Sequence, residues 1–306
     1  MSGMLILSKS IMKKQMKNQI DKNRLLYLIL PISILIIFII FGLLLLPAYQ
    51  YKINPDATGY IQIAHLYAQG QILHAVNGYW SPLLSWLLVP FSWLNIDLLI
   101  GARILALMSS VCVLTIAWVN MRRQKMPWQV LVSLLFILSI MLLDWSLAGA
   151  ITGDLLFLLI AMIIPLITIR FINDPTLTNI LILGASGAGL YFAKAIGFYI
   201  FICYLAVIFI ASKKYDYKSF KKYLLVLMCF AVIITPYVAA ISYKNRQPTI
   251  STASSYNIEL AKRFDSQSKL YPHPTASENV FPLKPYQLFV NENPDSMRDT
   301  LIANSP

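Results

Sequence analysis

Residues Leu25–Tyr49 read LLYLILPISILIIFIIFGLLLLPAY, 25 positions without one charged side chain. A helix needs about 20 such residues to cross the hydrocarbon core of a bilayer, so this stretch predicts a membrane span. It is too long for a signal-peptide core and lacks a small-residue cleavage site after it, which makes it an uncleaved anchor. The rest of the chain agrees. Of 306 residues 58% are hydrophobic and 12% charged, with a mean hydropathy of +0.66. That is more apolar side chain than a soluble core hides, and it predicts a polytopic all-α membrane protein. The formal charge of +12 is not gathered on one polar face, which argues against nucleic acid as a partner. Its basic residues stand in short runs between apolar segments, where they set topology.

Six further segments follow the anchor: Leu98 to Val119, Val130 to Ala150, Leu155 to Ile172, Ile180 to Phe192, Ile196 to Ala211 and Tyr223 to Ile241. The fifth of the seven is short. Its Gly184, Ser186, Gly187 and Gly189 suit close helix packing, and with no strand before them they form no dinucleotide fingerprint. With the N-terminus in the cytoplasm, the cytoplasmic side holds Lys9, Lys13, Lys14, Lys17, Lys22 and Arg24, then Arg122, Arg123, Lys125 and Arg170. Lys213, Lys214, Lys218, Lys221 and Lys222 complete that side, so that fifteen of the 25 Lys and Arg are accounted for. The expected organisation is a basic cytoplasmic tail over 1–24, a transmembrane module over 25–242 with an outer loop over 50–97, and an extracytoplasmic C-terminal segment over 243–306. A plasma (inner) membrane is the expected location. Cys112, Cys203 and Cys229 fall inside predicted spans and outline neither a disulfide framework nor a metal site.

The first outer loop is the most informative. Asn54 to Pro90 reads NPDATGYIQIAHLYAQGQILHAVNGYWSPLLSWLLVP. Asn54 suits a helix cap, Pro55 the first helical position, and Tyr60, Ala64, Tyr67 and Ala68 recur at helical spacing until Gly70 ends the helix. A polar turn, Asn77 to Trp80, leads to the 12-residue apolar run Leu83–Leu94, too short for a span and predicted to lie along the interface.

Around the outer face stand the scarce charges Lys52, Asp56, Asp97, Arg103, Asp154 and Lys194. Each has a structural explanation. Asp56 and Asp154 open helices, where the dipole favours a carboxylate, and Asp97 reads as a simple N-cap. Asp144 lies within the outer part of the third span as a secondary candidate. Lys194 and Arg103 can snorkel. The functional reading takes the acids as a base and its helper, and the cations as contacts for a phosphate at headgroup height. Tyr60, Tyr67, Tyr79 and Trp80 offer faces suited to sugar rings, though aromatics at a membrane interface need no ligand to be there. His65 and His74 in the loop and His273 in the tail read as surface residues.

Four segments in order carry a family resemblance. They are D-x3-Y-x3-A-x5-G (Asp56, Tyr60, Ala64, Gly70), W-x-P-L-x2-W-L (Trp80 to Leu87), G-x-R at the second span (Gly101, Arg103), and T-G-D-L-L (Thr152 to Leu156), with L-Y-F-A-K-A-I-G at Leu190 to Gly197 after them. Together they resemble the GT-C fold, the polytopic glycosyltransferases that use polyprenyl-phosphate sugars and include protein O-mannosyltransferases and the aminoarabinose transferases of lipid A. The resemblance covers about Leu25 to Ile241. It implies an inverting hexosyl or pentosyl transfer outside the cytoplasm, from a polyprenyl-phosphate sugar to an acceptor glycan, lipid or protein. Asp56 would be the base and Asp154 a helper, the two together holding a divalent metal ion. Lys194 and Arg103 would bind the donor phosphate, and Tyr60, Tyr67 and Trp80 would touch sugar or acceptor. Part of the acceptor pocket would come from Thr249 to Tyr286. Two features depart from the family. Ala57 stands where a second adjacent acid is common, and members usually continue beyond a seventh span, so that this chain would be a C-terminally truncated member. A lipid or solute transporter and a non-catalytic membrane subunit are the alternatives. The first calls for ionisable residues near the bilayer midplane and internal repeats, which the sequence does not display.

Overall fold

The computed structural model describes residues 2–211 and 217–258. They form ten helices and, among the described residues, no strand: α1 (Ser2–Tyr49), α2 (Pro55–Ala68), α3 (Ile72–Ala75), α4 (Leu83–Trp93), α5 (Leu98–Arg123), α6 (Trp128–Leu147), α7 (Asp154–Asn173), α8 (Leu177–Ala193), α9 (Gly197–Ala211) and α10 (Tyr217–Asn245). The all-α, multi-span architecture expected from hydropathy is present. Five of these helices are long and apolar enough to cross a membrane: α1 over Leu26–Tyr49, then α5, α6, α7, and α10 over Phe220–Asn245. The fifth and sixth expected spans are α8 and α9, of 17 and 15 residues, below the usual crossing length. α1 continues through the basic stretch to Ser2. Beyond Ile258 the expected C-terminal segment lies outside the described residues.

The described residues divide into two compact units, one drawn from 1–57 and 97–166, the other from 58–96 and 167–306. In the first, α1, α5 and α6 pack on one another. Phe38, Leu107, Leu114, Leu131, Leu135, Leu142, Leu147 and Leu155 fill their common core. Gly42 lets α1 and α5 approach closely, since a Cβ there would lie 2.9 Å from Leu107 Cδ2. The Tyr27 hydroxyl donates to the Met126 carbonyl at 2.7 Å, tying the start of the span to the turn between α5 and α6. The other side of α1 is apolar and uncovered: Ile36, Ile37, Ile40, Phe41, Leu43 and Leu44 are half exposed or more, Leu44 to 71%. A continuous face of that kind is stable against lipid.

In the second unit α8, α9 and α10 form the packed set, with α4 against α8. Gly184 and Gly187 of α8 serve helix packing, as their spacing predicts. A Cβ on Gly184 would meet Cys229 and the Val226 carbonyl of α10, and one on Gly187 would enter the Phe201 ring of α9.

Four helices end in the same hydrogen-bonded hook. After α2, Gly70 N–H reaches the Tyr67 carbonyl and Gln71 N–H the Leu66 carbonyl, with Gly70 at φ +76°. Asn95, Lys125 and Arg246 take the equivalent left-handed position after α4, α5 and α10. This is the Schellman arrangement that satisfies the last carbonyls of a helix.

Candidate functional site

The sharpest polar feature of the first unit is Arg103. It stands in the second turn of α5 and is only 1% exposed. Its Nη2 donates to the Lys52 carbonyl at 2.7 Å, and its Nη1 to the Gly149 carbonyl at 2.8 Å and the Ser146 carbonyl at 3.3 Å. Nε is buried without a partner. Ser146 is in the last turn of α6, Gly149 lies two residues past that helix and Lys52 three residues past α1, so the guanidinium ties the C-terminus of α6 and the turn after it to the turn after α1. The last carbonyls of a helix lack intrahelical donors and carry its negative pole, which favours a cation at Ser146. Sequence allows the arrangement through Gly149. A Cβ at that position would lie 2.5 Å from the Trp145 carbonyl, so only glycine lets the turn close.

A second tie lies beside the first. Asn54 Oδ1 accepts from Ile151 N–H at 2.8 Å. The side chain that the sequence assigned to capping α2 is therefore spent on the α6–α7 turn; α2 starts on a backbone bond from Ala57 N–H to the Asn54 carbonyl, with Pro55 first in the helix as expected.

These ties bring together the two turns that carry the expected acids. Asp56 is in the first turn of α2 and Asp154 is the first residue of α7; both are partly buried. Asp154 Oδ2 accepts from the Thr152 hydroxyl at 2.7 Å. Asp97 caps α5, accepting from Leu99 N–H at 2.7 Å and Ile100 N–H at 3.4 Å, as its position predicts. Asp144 is exposed on α6, and its carbonyl accepts from Ala148 and Gly149 N–H. Among the described residues no group of three His, Cys, Asp or Glu side chains assembles. Asp56 and Asp154 carry carboxylate oxygens, the donor type that Mg²⁺ takes.

In the second unit, Tyr60 is buried on α2 and its carbonyl accepts from the Ser85 hydroxyl at 2.8 Å, joining α2 to α4. Trp80 lies flat on α2, where a Cβ on Gly59 would come within 2.6 Å of its indole. Tyr67 meets Trp86 edge-on at 6.2 Å between centroids. Burial pushes its phenol above the usual tyrosine range, with the Trp86 hydrogen bond acting the other way, so it stays neutral.

The turn between α3 and α4 is organised by Asn77. Its Oδ1 accepts from Tyr79 N–H at 2.7 Å and Trp80 N–H at 3.0 Å, and its carbonyl accepts from the Tyr237 hydroxyl at 2.8 Å. The segment after α10 crosses the same turn. Thr252 N–H and the Ser251 hydroxyl both donate to the Gly78 carbonyl, the Tyr191 hydroxyl donates to the Ile250 carbonyl at 2.7 Å, and Tyr79 meets Tyr256 at 5.0 Å. Of the expected acceptor segment, Thr249 to Tyr286, the first ten residues are described, with Ser251, Thr252 and Tyr256 touching the aromatic turn, and the remainder lies outside the described residues. Lys194 ends α8 in extended backbone and is exposed. The tight α8–α9 turn beside it depends on Gly197, where a Cβ would meet the Leu190 carbonyl at 2.5 Å.

No family model matches the chain, and neither the curated proteins nor the solved structures contain a match to it. Fold and composition define a multi-span helical membrane protein with polar turns gathered at helix ends. Within that class the individual activity is a matter for the residues.

Proposed function

We propose that the chain is a membrane glycosyltransferase that moves a sugar from a polyprenyl-phosphate donor to an acceptor glycan, lipid or protein. The observation that supports this reading is the joining of the Asp56 and Asp154 turns through Arg103 and Asn54. A sugar on a lipid phosphate already has a leaving group; what the protein must supply is a base for the acceptor hydroxyl and positive charge for the departing phosphate. Asp56 takes the acceptor proton as the hydroxyl oxygen attacks the anomeric carbon and the C–O bond to the phosphate breaks, in one inverting displacement. Asp154, held by Thr152, orients the acceptor. A divalent cation held by the two carboxylates would neutralise phosphate charge. Phosphate contact is assigned to Lys194 on its turn's sequence resemblance alone, and sugar or acceptor contact to Tyr60, Tyr67 and Trp80. We place the reaction on the extracytoplasmic face of a plasma (inner) membrane, with the N-terminus in the cytoplasm.

The test is transfer of radiolabelled sugar from a panel of polyprenyl-phosphate sugars, with and without chelator, in membranes containing the full chain. Transfer from at least one donor is expected, and its loss on chelation would assign the cation. Absence of transfer from every donor, together with substrate flux in vesicles, would replace this reading with transport.

A further inference from the structure

Arg103 spends its terminal nitrogens on the protein's own carbonyls. We propose that Arg103 is a positioning residue: a buried cationic clamp that holds the α1–α2 and α6–α7 turns in register and so sets the places of Asp56 and Asp154. For the reaction the inference rests on the transferase reading; for the clamp itself it rests on geometry alone.

A guanidinium that binds a lipid phosphate must present its planar fork to the ligand. Arg103 is 1% exposed, and its two terminal nitrogens are engaged by the carbonyls of Lys52, Ser146 and Gly149. The donor set is turned inward. What it joins is far apart in sequence: Lys52 stands 51 positions before Arg103 and Gly149 46 positions after it. Four and five residues beyond the clamped carbonyls come Asp56 and Asp154. Asn54 adds a neutral tie between the same turns, and about two turns along α5 from Arg103 the hydroxyls of Ser110 and Ser146 meet at 2.7 Å, joining α5 to α6. A lysine in place of Arg103 has a point charge and no fork, so it can hold one of the two turns and not both.

The experiment uses the full chain with Cys112, Cys203 and Cys229 replaced by serine, and with Tyr51→Cys and Ala150→Cys as probes. Both probe positions are exposed and adjoin clamped carbonyls. Cross-linking by a short bismaleimide is timed in the parent, in R103Q and in R103K, alongside kcat and donor KM for sugar transfer. Expected are rapid cross-linking in the parent and slowing by about tenfold or more in R103Q, with partial recovery in R103K. Since misplacement by about 1 Å costs about 100-fold, kcat should fall by that factor while donor KM holds. An unchanged cross-linking rate in R103Q would overturn the clamp. So would a rise in donor KM with kcat and cross-linking preserved, which would return Arg103 to the phosphate. If R103Q does not accumulate as folded protein, R103K decides: cross-linking slower than in the parent supports the clamp, and the parental rate overturns it. If the parent transfers no sugar, the transferase reading fails while the cross-linking rates still decide the clamp.

Discussion

The polar turns of the two units are held by opposite means. In the first, a single buried cation gathers three carbonyls from the turns after α1 and α6 and the last turn of α6. In the second, the Asn77–Trp80 turn is held by many neutral groups: the Asn77 amide, the hydroxyls of Tyr237 and Ser251, and the backbone of Thr252. A charge concentrates the work in one side chain, and its removal strands every carbonyl it served. A neutral network divides the same work into bonds of about 1 kcal/mol each. The first unit should therefore fail at one position, and the second should degrade gradually.

The largest effect is expected at Arg103. R103M removes the donor to three carbonyls, one of the bonds buried and two part-buried, and should cost about 3–5 kcal/mol, read as a lower melting temperature of the detergent-solubilised chain. Loss below about 1 kcal/mol would put the first unit on the same footing as the second. Next comes G149A. Its Cβ would stand 2.5 Å from the Trp145 carbonyl, a backbone atom that cannot rotate away, and the expected cost is about 1–3 kcal/mol in the same melt. Y237F, by contrast, removes one neutral bond to the Asn77 carbonyl and should cost about 1 kcal/mol. A loss as large as that of R103M would mean that the second turn also hangs on one group. The smallest effect is at a helix end: K125G relieves a left-handed backbone at φ +56° and should gain about 0.5 kcal/mol, the steric relief being partly offset by glycine's entropy.

Much of this was legible from side-chain character alone. Hydropathy located all seven apolar segments near their helices, because a span announces itself residue by residue. Pro55, Gly70 and Asp97 followed from local backbone chemistry, which needs no knowledge of distant chain. Arg103 was legible as a rare charge at a span end and not as a clamp, since its partners are backbone carbonyls that every residue possesses and that no sequence marks. Asn54 misled for a related reason: an amide before Pro-Asp suits a cap, but Ile151 N–H competes for it across nearly a hundred residues. The Asn77 turn carried a signal, Asn-Gly ahead of two aromatics, that marks an amide-stabilised turn. Asn95 is of the type that, after glycine, most often takes a left-handed cap, whereas the helix ends at Lys125 and Arg246 carried little signal, because long basic side chains rarely mark one.

The central claim is that Asp56 is the base of a sugar transfer, and the most direct test is the rate of transfer by D56N relative to the parent at equal amounts of folded protein. The carboxamide keeps the size of the side chain and removes its basicity. A fall in kcat of about 100-fold or more, with donor KM little changed, is the predicted result. Transfer by D56N at the parental rate would contradict the account and remove Asp56 from the chemistry.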